Sequence, residues 1–308
     1  QFLLDATDIK IAKQGISQNG PEWGKAHSWY WKGIRSHWRL LGEKNKKAIL
    51  LLHGFGSSSC HWRHNVAPLA AAGFRVYALD LIGFGESEQP SETKAPKLDN
   101  QIWAKQVAAF LKQIVQNNKN EKTVLIGNSL GGLTALTALY EHPELISAVV
   151  AAPLPDPALM QAVKANPPIW LLQVRNNLVK IFFHLLPLEI LIPLISRTVL
   201  IKIALQAAYY REIKSDKVLQ RFIIKPAQKH TAARALRSMC IGMSTREKDI
   251  TAPELLNQLQ KRKTFSPVLL IWGKQDNLVP IYVAKKLLTT HSWLKLFVLD
   301  KTGHCPHD

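Results

Sequence analysis

The stretch Ile126-Gly127-Asn128-Ser129-Leu130-Gly131-Gly132 constrains this chain more than any other. An apolar run, Thr123 to Ile126, ends in it, and an Ala/Leu-rich run, Leu133 to Tyr140, leaves it. Strand, Gly-x-Ser-x-Gly, helix is the layout of a sharp turn that lifts a serine hydroxyl clear of a sheet. Gly127 and Gly131 answer the need for small neighbours at so tight a turn. The same turn aims the first amides of the following helix at whatever the serine attacks. An ordinary glycine-rich turn gives the same letters, so the reading rests on partners elsewhere in the chain.

Apolar strands alternate with helices on both sides of this turn. Ala48 to Leu52 is apolar on both faces, which belongs in the middle of a parallel sheet covered by helices. Arg75 to Asp80 and Ile146 to Ala152 are further strands, and Ile102, Val107, Phe110, Leu111 and Ile114 fall near helical spacing. Trp62 to Ala72 reads as a helix stopped at Gly73. Upstream, Trp29 to Arg39 alternates apolar and polar residues, as one strand or a hairpin bent at Gly33 on a sheet edge. Residues 1–28 carry no clear period and read as a lead-in. The fold class expected is α/β, a mostly parallel central sheet flanked by helices. Ligands of such sheets sit at the carboxyl ends of the strands.

His53-Gly54-Phe55-Gly56 leaves one such end. Its glycines let backbone N–H groups turn inward, so the Phe55 N–H, with the Leu130 N–H, is expected to hold a developing oxyanion. Gly54 and Asn128 are candidate substrate contacts. Asp80, before a glycine-rich turn, reads as a hydrogen-bonder of that turn rather than an acid catalyst.

From Pro153 to about Pro253 the alternation stops. The chain divides as a first core part over 1–152, a helical lid inserted over 153–253, and a second core part over 254–308 that lacks a last helix. It begins at Gln1 and stops soon after Gly303-His304, so it reads as a piece of a longer protein. The inserted segment is apolar and basic. Residues 153–250 hold about fifteen Lys or Arg against six Asp or Glu. Charges and prolines break it short of the roughly 18–20 residues a membrane span needs. Its apolar faces either pack on the core and each other or meet a bilayer or a lipid-like substrate. The formal charge of +18 comes with no zinc-ligand spacing and no long basic run, so no nucleic-acid partner is expected. Three scattered cysteines imply no disulfide framework and an intracellular, reducing compartment.

Strands return at Val268 to Gly273 and Leu294 to Leu299, separated by a helix from Ile281 to Leu288. Asp276 follows the first and His304 the second. Serine needs a neutral histidine as base, and that histidine needs a carboxylate on its other nitrogen. The order Ser129, Asp276, His304 supplies both. Asp300 competes but sits too near the histidine, and Asp156 is a weaker substitute. Cys305 reads as a buried neighbour rather than a second nucleophile.

Together these features resemble the α/β-hydrolase superfamily over almost the whole chain from about residue 29. His53-Gly54-Phe55-Gly56, His61-Trp62-Arg63, Asp80-Leu81-Ile82-Gly83-Phe84-Gly85, Gly127-Asn128-Ser129-Leu130-Gly131-Gly132 and Gly303-His304-Cys305-Pro306-His307-Asp308 are similar to the branch holding pheophytinase and chlorophyll dephytylase. That resemblance implies a serine ester hydrolase using Ser129, Asp276 and His304, with no metal or organic cofactor. It implies phytyl esters of chlorophyll-type pigments as substrate and a peripheral place at a photosynthetic membrane. A carboxylesterase or lipase acting on acyl lipids is the alternative, and a non-catalytic small-molecule-binding member of the fold is a second. Ser129 stands where the dehalogenases and epoxide hydrolases of this fold carry a carboxylate. Oligomeric state is not legible.

Overall fold

Two strands open the described chain, β1 (Lys25–Trp31) and β2 (Ile34–Leu41), as an antiparallel hairpin. It turns on Lys32 and Gly33, both left-handed at φ 50° and 72°. A two-residue turn of that hand matches the twist of the strands it joins. The hairpin reading of Trp29 to Arg39 therefore holds, with β1 at the sheet edge. The computed structural model describes residues 23–45, 47–91, 93–95, 97–115, 121–160, 168–196, 198–262 and 266–308, so most of the lead-in lies outside the described residues.

Six more strands follow: β3 (Lys47–Leu52), β4 (Phe74–Leu79), β5 (Thr123–Gly127), β6 (Ile146–Ala151), β7 (Val268–Gly273) and β8 (Lys295–Leu299). Among the described residues they make one sheet ordered β1-β2-β4-β3-β5-β6-β7-β8. Only the pairs of β2 are antiparallel, and all others are parallel.

β3 shows why the sheet needs cover on both faces. Leu50 and Leu52 point into the larger apolar cluster, with Tyr77, Leu79 and Leu125. Ile49 and Leu51 point into a second cluster on the other face, with Trp23, Trp62 and Val66. Successive strand side chains take opposite faces, so an apolar run is what a doubly covered strand requires. The covering helices include α1 (Val66–Ala71), α2 (Asn100–Phe110) and α3 (Leu130–Glu141). α2 starts where the Asp99 side chain accepts from the Ile102 N–H at 3.0 Å. The helix expected from Trp62 begins only at Val66. Ser59 to Trp62 instead form a 3₁₀ turn, held by the Ser59 N–H donating to Asp80.

Between β6 and β7 lie α4 (Ile169–Leu185), α5 (Leu188–Ser196), α6 (Val199–Ala207), α7 (Lys217–Ala227), α8 (Ala232–Thr245) and α9 (Ala252–Lys261). α8 packs against α4, α5 and α7, and α9 packs on α3. The buried Arg237 of α8 fastens the bend between α4 and α5. It donates to the Phe183 and Leu186 carbonyls and, with two nitrogens, to the Glu189 carboxylate at 2.6 and 2.8 Å. The last helix, α10 (Ile281–Thr290), joins β7 to β8.

Candidate active site

The turn after β5 is as tight as its glycines require. Ser129 sits at φ 51°, ψ −117°, a conformation an L-residue holds only when its surroundings over-determine it. A Cβ on Gly127 would overlap the Gly131 backbone, and one on Gly131 would overlap the Leu52 carbonyl. The β5–α3 turn thus leaves no room beside β3 for any other residue.

Two loops from β7 and β8 bring Asp276 and His304 to this turn. His304 Nε2 lies 2.8 Å from Ser129 Oγ, and His304 Nδ1 lies 2.9 Å from Asp276 Oδ2. The other Asp276 oxygen accepts from the Leu278 and Val279 N–H groups, both at 2.9 Å. That carboxylate is buried and its orientation is fixed. The competitors lie elsewhere. Asp300 is exposed and pairs with Lys274 at 2.8 Å. Asp156 is buried but occupied by Arg246 and by the Ala252 and Ala158 N–H groups.

The loop that follows β3 is held from beneath by His53. Its Nδ1–H donates to the Gly54 carbonyl at 2.8 Å and its Nε2 accepts from the Leu81 N–H at 3.0 Å. Burial lowers its pKa, and Asp80 only partly opposes this, so the ring stays neutral in that one tautomer. In a trans peptide the carbonyl and the next N–H point in opposite directions. The hydrogen bond to Gly54 therefore sets where the Phe55 N–H points. Among the described hydrogen bonds, neither the Phe55 nor the Leu130 N–H has an acceptor.

Asn128 lines the cavity, but both protons of its side-chain amide are committed. It donates to the Ala152 carbonyl at 2.6 Å and to the His304 carbonyl at 3.1 Å. Its amide protons tie the ends of β5 and β6 to the histidine loop, while the residue keeps its place on the cavity wall. Gly54 also lines the cavity, and a side chain there would overlap Asn128. Asp80 is the turn-holder expected. It accepts from Ser59 and Glu86 N–H groups and from His37. Burial works to raise its carboxyl, but His37 and those donors hold it at about 2.

A second buried cluster, not foreseen in the sequence, stands behind the histidine. Tyr209 donates to Asp308 Oδ2 at 3.1 Å and meets His61 Nε2 at 2.7 Å. Arg63 reaches both Asp308 and Asp216 with two nitrogens each. Burial first, then the cations nearby, push His61 down to about 3. Burial drives the Cys305 thiol up to about 12, so it is a protonated neighbour and no nucleophile near neutrality.

Above Ser129 opens a cavity of about 430 Å³. Ser129, His304 and Phe55 line it, and Phe84, Leu98 and Met239 are among its apolar walls. The insert contributes Ile192, Ile201 and Leu205 from α5 and α6. The volume falls in the range of small-molecule sites. Among the described residues no group of three His, Cys, Asp or Glu side chains is placed to hold a metal.

An α/β sheet with a serine elbow, and an imidazole and a carboxylate on later loops, defines the α/β-hydrolase class. The chain belongs to the alpha/beta hydrolase fold family, which it matches over residues 47–308. It is 36% identical over 127 residues to epoxide hydrolase 4 of Mus musculus, a match covering 41% of this chain and 33% of that protein's length. An uncharacterized hydrolase of Bacillus subtilis, YugF, is 26% identical over 272 residues, 88% of each chain. A thermophilic esterase from Thermogutta terrifontis shares the fold at a TM-score of 0.62, with 18% identity and 92% of each chain covered.

Proposed function

We propose that this chain is a serine ester hydrolase. The observation that carries the reading is the unbroken line Ser129 Oγ, His304, Asp276, with contacts of 2.8 and 2.9 Å. His304 takes the Ser129 proton as Oγ attacks the ester carbonyl. The Phe55 and Leu130 N–H groups receive the oxyanion. His304 then gives the proton to the departing alcohol, and water attacks the acyl-enzyme by the same steps. Asp276 holds the Nδ1–H tautomer and stabilises the imidazolium.

The kinship with an epoxide hydrolase does not carry that activity here. A carboxylate that opens an epoxide forms an ester, which water cleaves. A serine would form an ether, which this machinery could not hydrolyse. Ser129 restricts the productive chemistry to acyl transfer.

The substrate we propose is a bulky apolar ester, since most of the cavity wall is apolar, with Ser57, His61, Gln89 and Asn128 the polar side chains beside Ser129 and His304. The phytyl ester of chlorophyll or pheophytin is the first candidate, on the strength of the sequence resemblance. A fluorophosphonate probe should label Ser129 and fail on Ser129→Ala. Absence of label in folded protein overturns the hydrolase reading. Incubation with chlorophyll a, pheophytin a and medium-chain p-nitrophenyl esters tests the substrate. Turnover of the p-nitrophenyl esters alone refutes the pigment reading and favours an acyl-ester hydrolase.

A further inference from the structure

The insert carries an apolar surface that nothing among the described residues covers. On α4, Trp170, Val174, Leu178, Ile181 and Leu185 follow one another at steps of four, four, three and four residues, which is one face of a helix. All five are exposed, Leu185 to 78%. The opposite face, with Leu172, Val179 and Phe183, is half-buried on the side packed against α8. Ile190 and Leu194 of α5 and Val199, Leu200 and Ile203 of α6 extend the exposed apolar surface. Neither α4 nor α6 has a single buried residue.

The charged side chains of α4 and α6 are all basic. Arg175 and Lys180 flank the α4 stripe on its two sides, and Lys202 flanks that of α6. None of the three has a carboxylate partner among the described residues. The one carboxylate in α4 to α6, Glu189, is already taken by Arg237, which holds its pKa at about 2. An apolar stripe bordered by cations and free of available anions is the pattern of a helix lying in the interface of an anionic bilayer. A second copy of the chain fits poorly, because a two-fold contact would set the same cations against each other. No single described helix is long and apolar enough to cross a membrane, and α4 and α5 meet at a bend of 61°.

α6 links this surface to the site. Val199, Leu200 and Ile203 face outward, while Ile201, Ala204 and Leu205 line the cavity above Ser129. We infer that α4, α5 and α6 dock on the surface of an anionic lipid bilayer, with α6 as the wall between the lipid and the cavity. An apolar ester passes from the bilayer beside α6 to Ser129 without crossing water. The passage rests on the reading of Ser129 as nucleophile, whereas the docking does not.

The test is flotation of the purified chain with phosphatidylcholine vesicles, with and without phosphatidylglycerol, at low and high salt. Anionic vesicles should bind it, with roughly a fivefold gain per engaged Lys or Arg over neutral ones, and salt should weaken that gain. Leu178→Asp with Ile181→Asp should abolish binding, while p-nitrophenyl ester hydrolysis and thermal unfolding stay near wild type, since both side chains are exposed. Lys180→Glu with Lys202→Glu should remove the preference for anionic lipid. No binding at low salt, or binding that ignores the α4 stripe, overturns the docking. So does a dimer in sedimentation that the Asp variants dissociate while vesicles go unbound. Vesicle binding is read apart from turnover, so loss of the ester-hydrolase reading would leave this result standing.

Discussion

The His304 backbone N–H donates to the Ala208 carbonyl at 2.8 Å. The imidazole beside Ser129 is therefore hung partly on the insert rather than on the sheet alone. The next residue back, Gly303, is packed so closely that a Cβ would lie 2.7 Å from the Ala208 oxygen and 2.9 Å from the Tyr210 nitrogen.

Gly303→Ala should consequently move either the insert or the histidine. Displacing a catalytic group by about 1 Å costs about a hundredfold in rate. Steady-state kinetics on a p-nitrophenyl ester should show kcat lowered by that order and KM little changed, in protein whose thermal unfolding remains cooperative. Unchanged kcat would mean that the Ala208 contact does not hold the base.

His53 offers a separate handle on the Gly54–Phe55 loop, the proposed oxyanion donor. His53→Phe keeps a ring of similar size but leaves the Leu81 N–H unpaired in the core and the Gly54 carbonyl with only the Ser57 N–H, at 3.3 Å. An unpaired buried group costs about 1–3 kcal/mol. The Phe55 N–H loses its fixed direction at the same time, so kcat should fall by about a hundredfold. Urea unfolding and kcat on the same samples separate the two effects. A stability loss with kcat intact would make His53 a structural residue only.

The core and the site were legible for one shared reason. Leu50 to Leu52 are apolar on both strand faces, and Ser129, Asp276 and His304 each follow such a strand, so the run and the reactive residue announce one another. Glycines marked the elbow because close packing leaves no substitute. The insert gave no such sign. α6 is apolar on the face that lines the cavity and again on the face turned outward, so its periodicity does not say which side is inside. The pairs that hold the insert span long separations, Arg237 with Glu189 across 48 residues and His61 with Tyr209 across 148. Nothing local in either partner names the other. Asn128 stands beside Ser129 in the sequence, and only the fold reveals that both its amide protons are spent on the Ala152 and His304 carbonyls.

Acid stability should expose the buried histidines. Burial depresses His61 to about 3 and lowers His53 and His307 as well. In the unfolded chain each takes a proton near pH 6.5. Below that pH the unfolded state binds more protons, so stability falls as pH falls, until His61 itself titrates near 3 in the folded state. Each such histidine contributes a slope approaching about 1.4 kcal/mol per pH unit. Urea midpoints should drop steadily from pH 7 to pH 5, before most carboxylates titrate. A flat midpoint over that range would contradict the neutral, buried assignment.

Asp276→Asn is the sharpest test of the division of labour in the site. Asparagine preserves shape, and its carbonyl oxygen can still accept from Leu278 and Val279, as the Asp276 Oδ1 does at 2.9 Å. The amide NH₂ then faces His304 Nδ1, where Oδ2 now lies 2.9 Å away. Two donors cannot share that contact, so the ring must place its proton on Nε2. That nitrogen could then no longer accept from Ser129 Oγ. By the logic of such triads kcat should fall about ten-thousandfold. Folding should survive, since the buried hydrogen bonds of Oδ1 remain. Raising the pH should not restore the rate, because the defect is a tautomer and not a protonation state. A loss of less than about tenfold would shift the orienting role from Asp276 to another group.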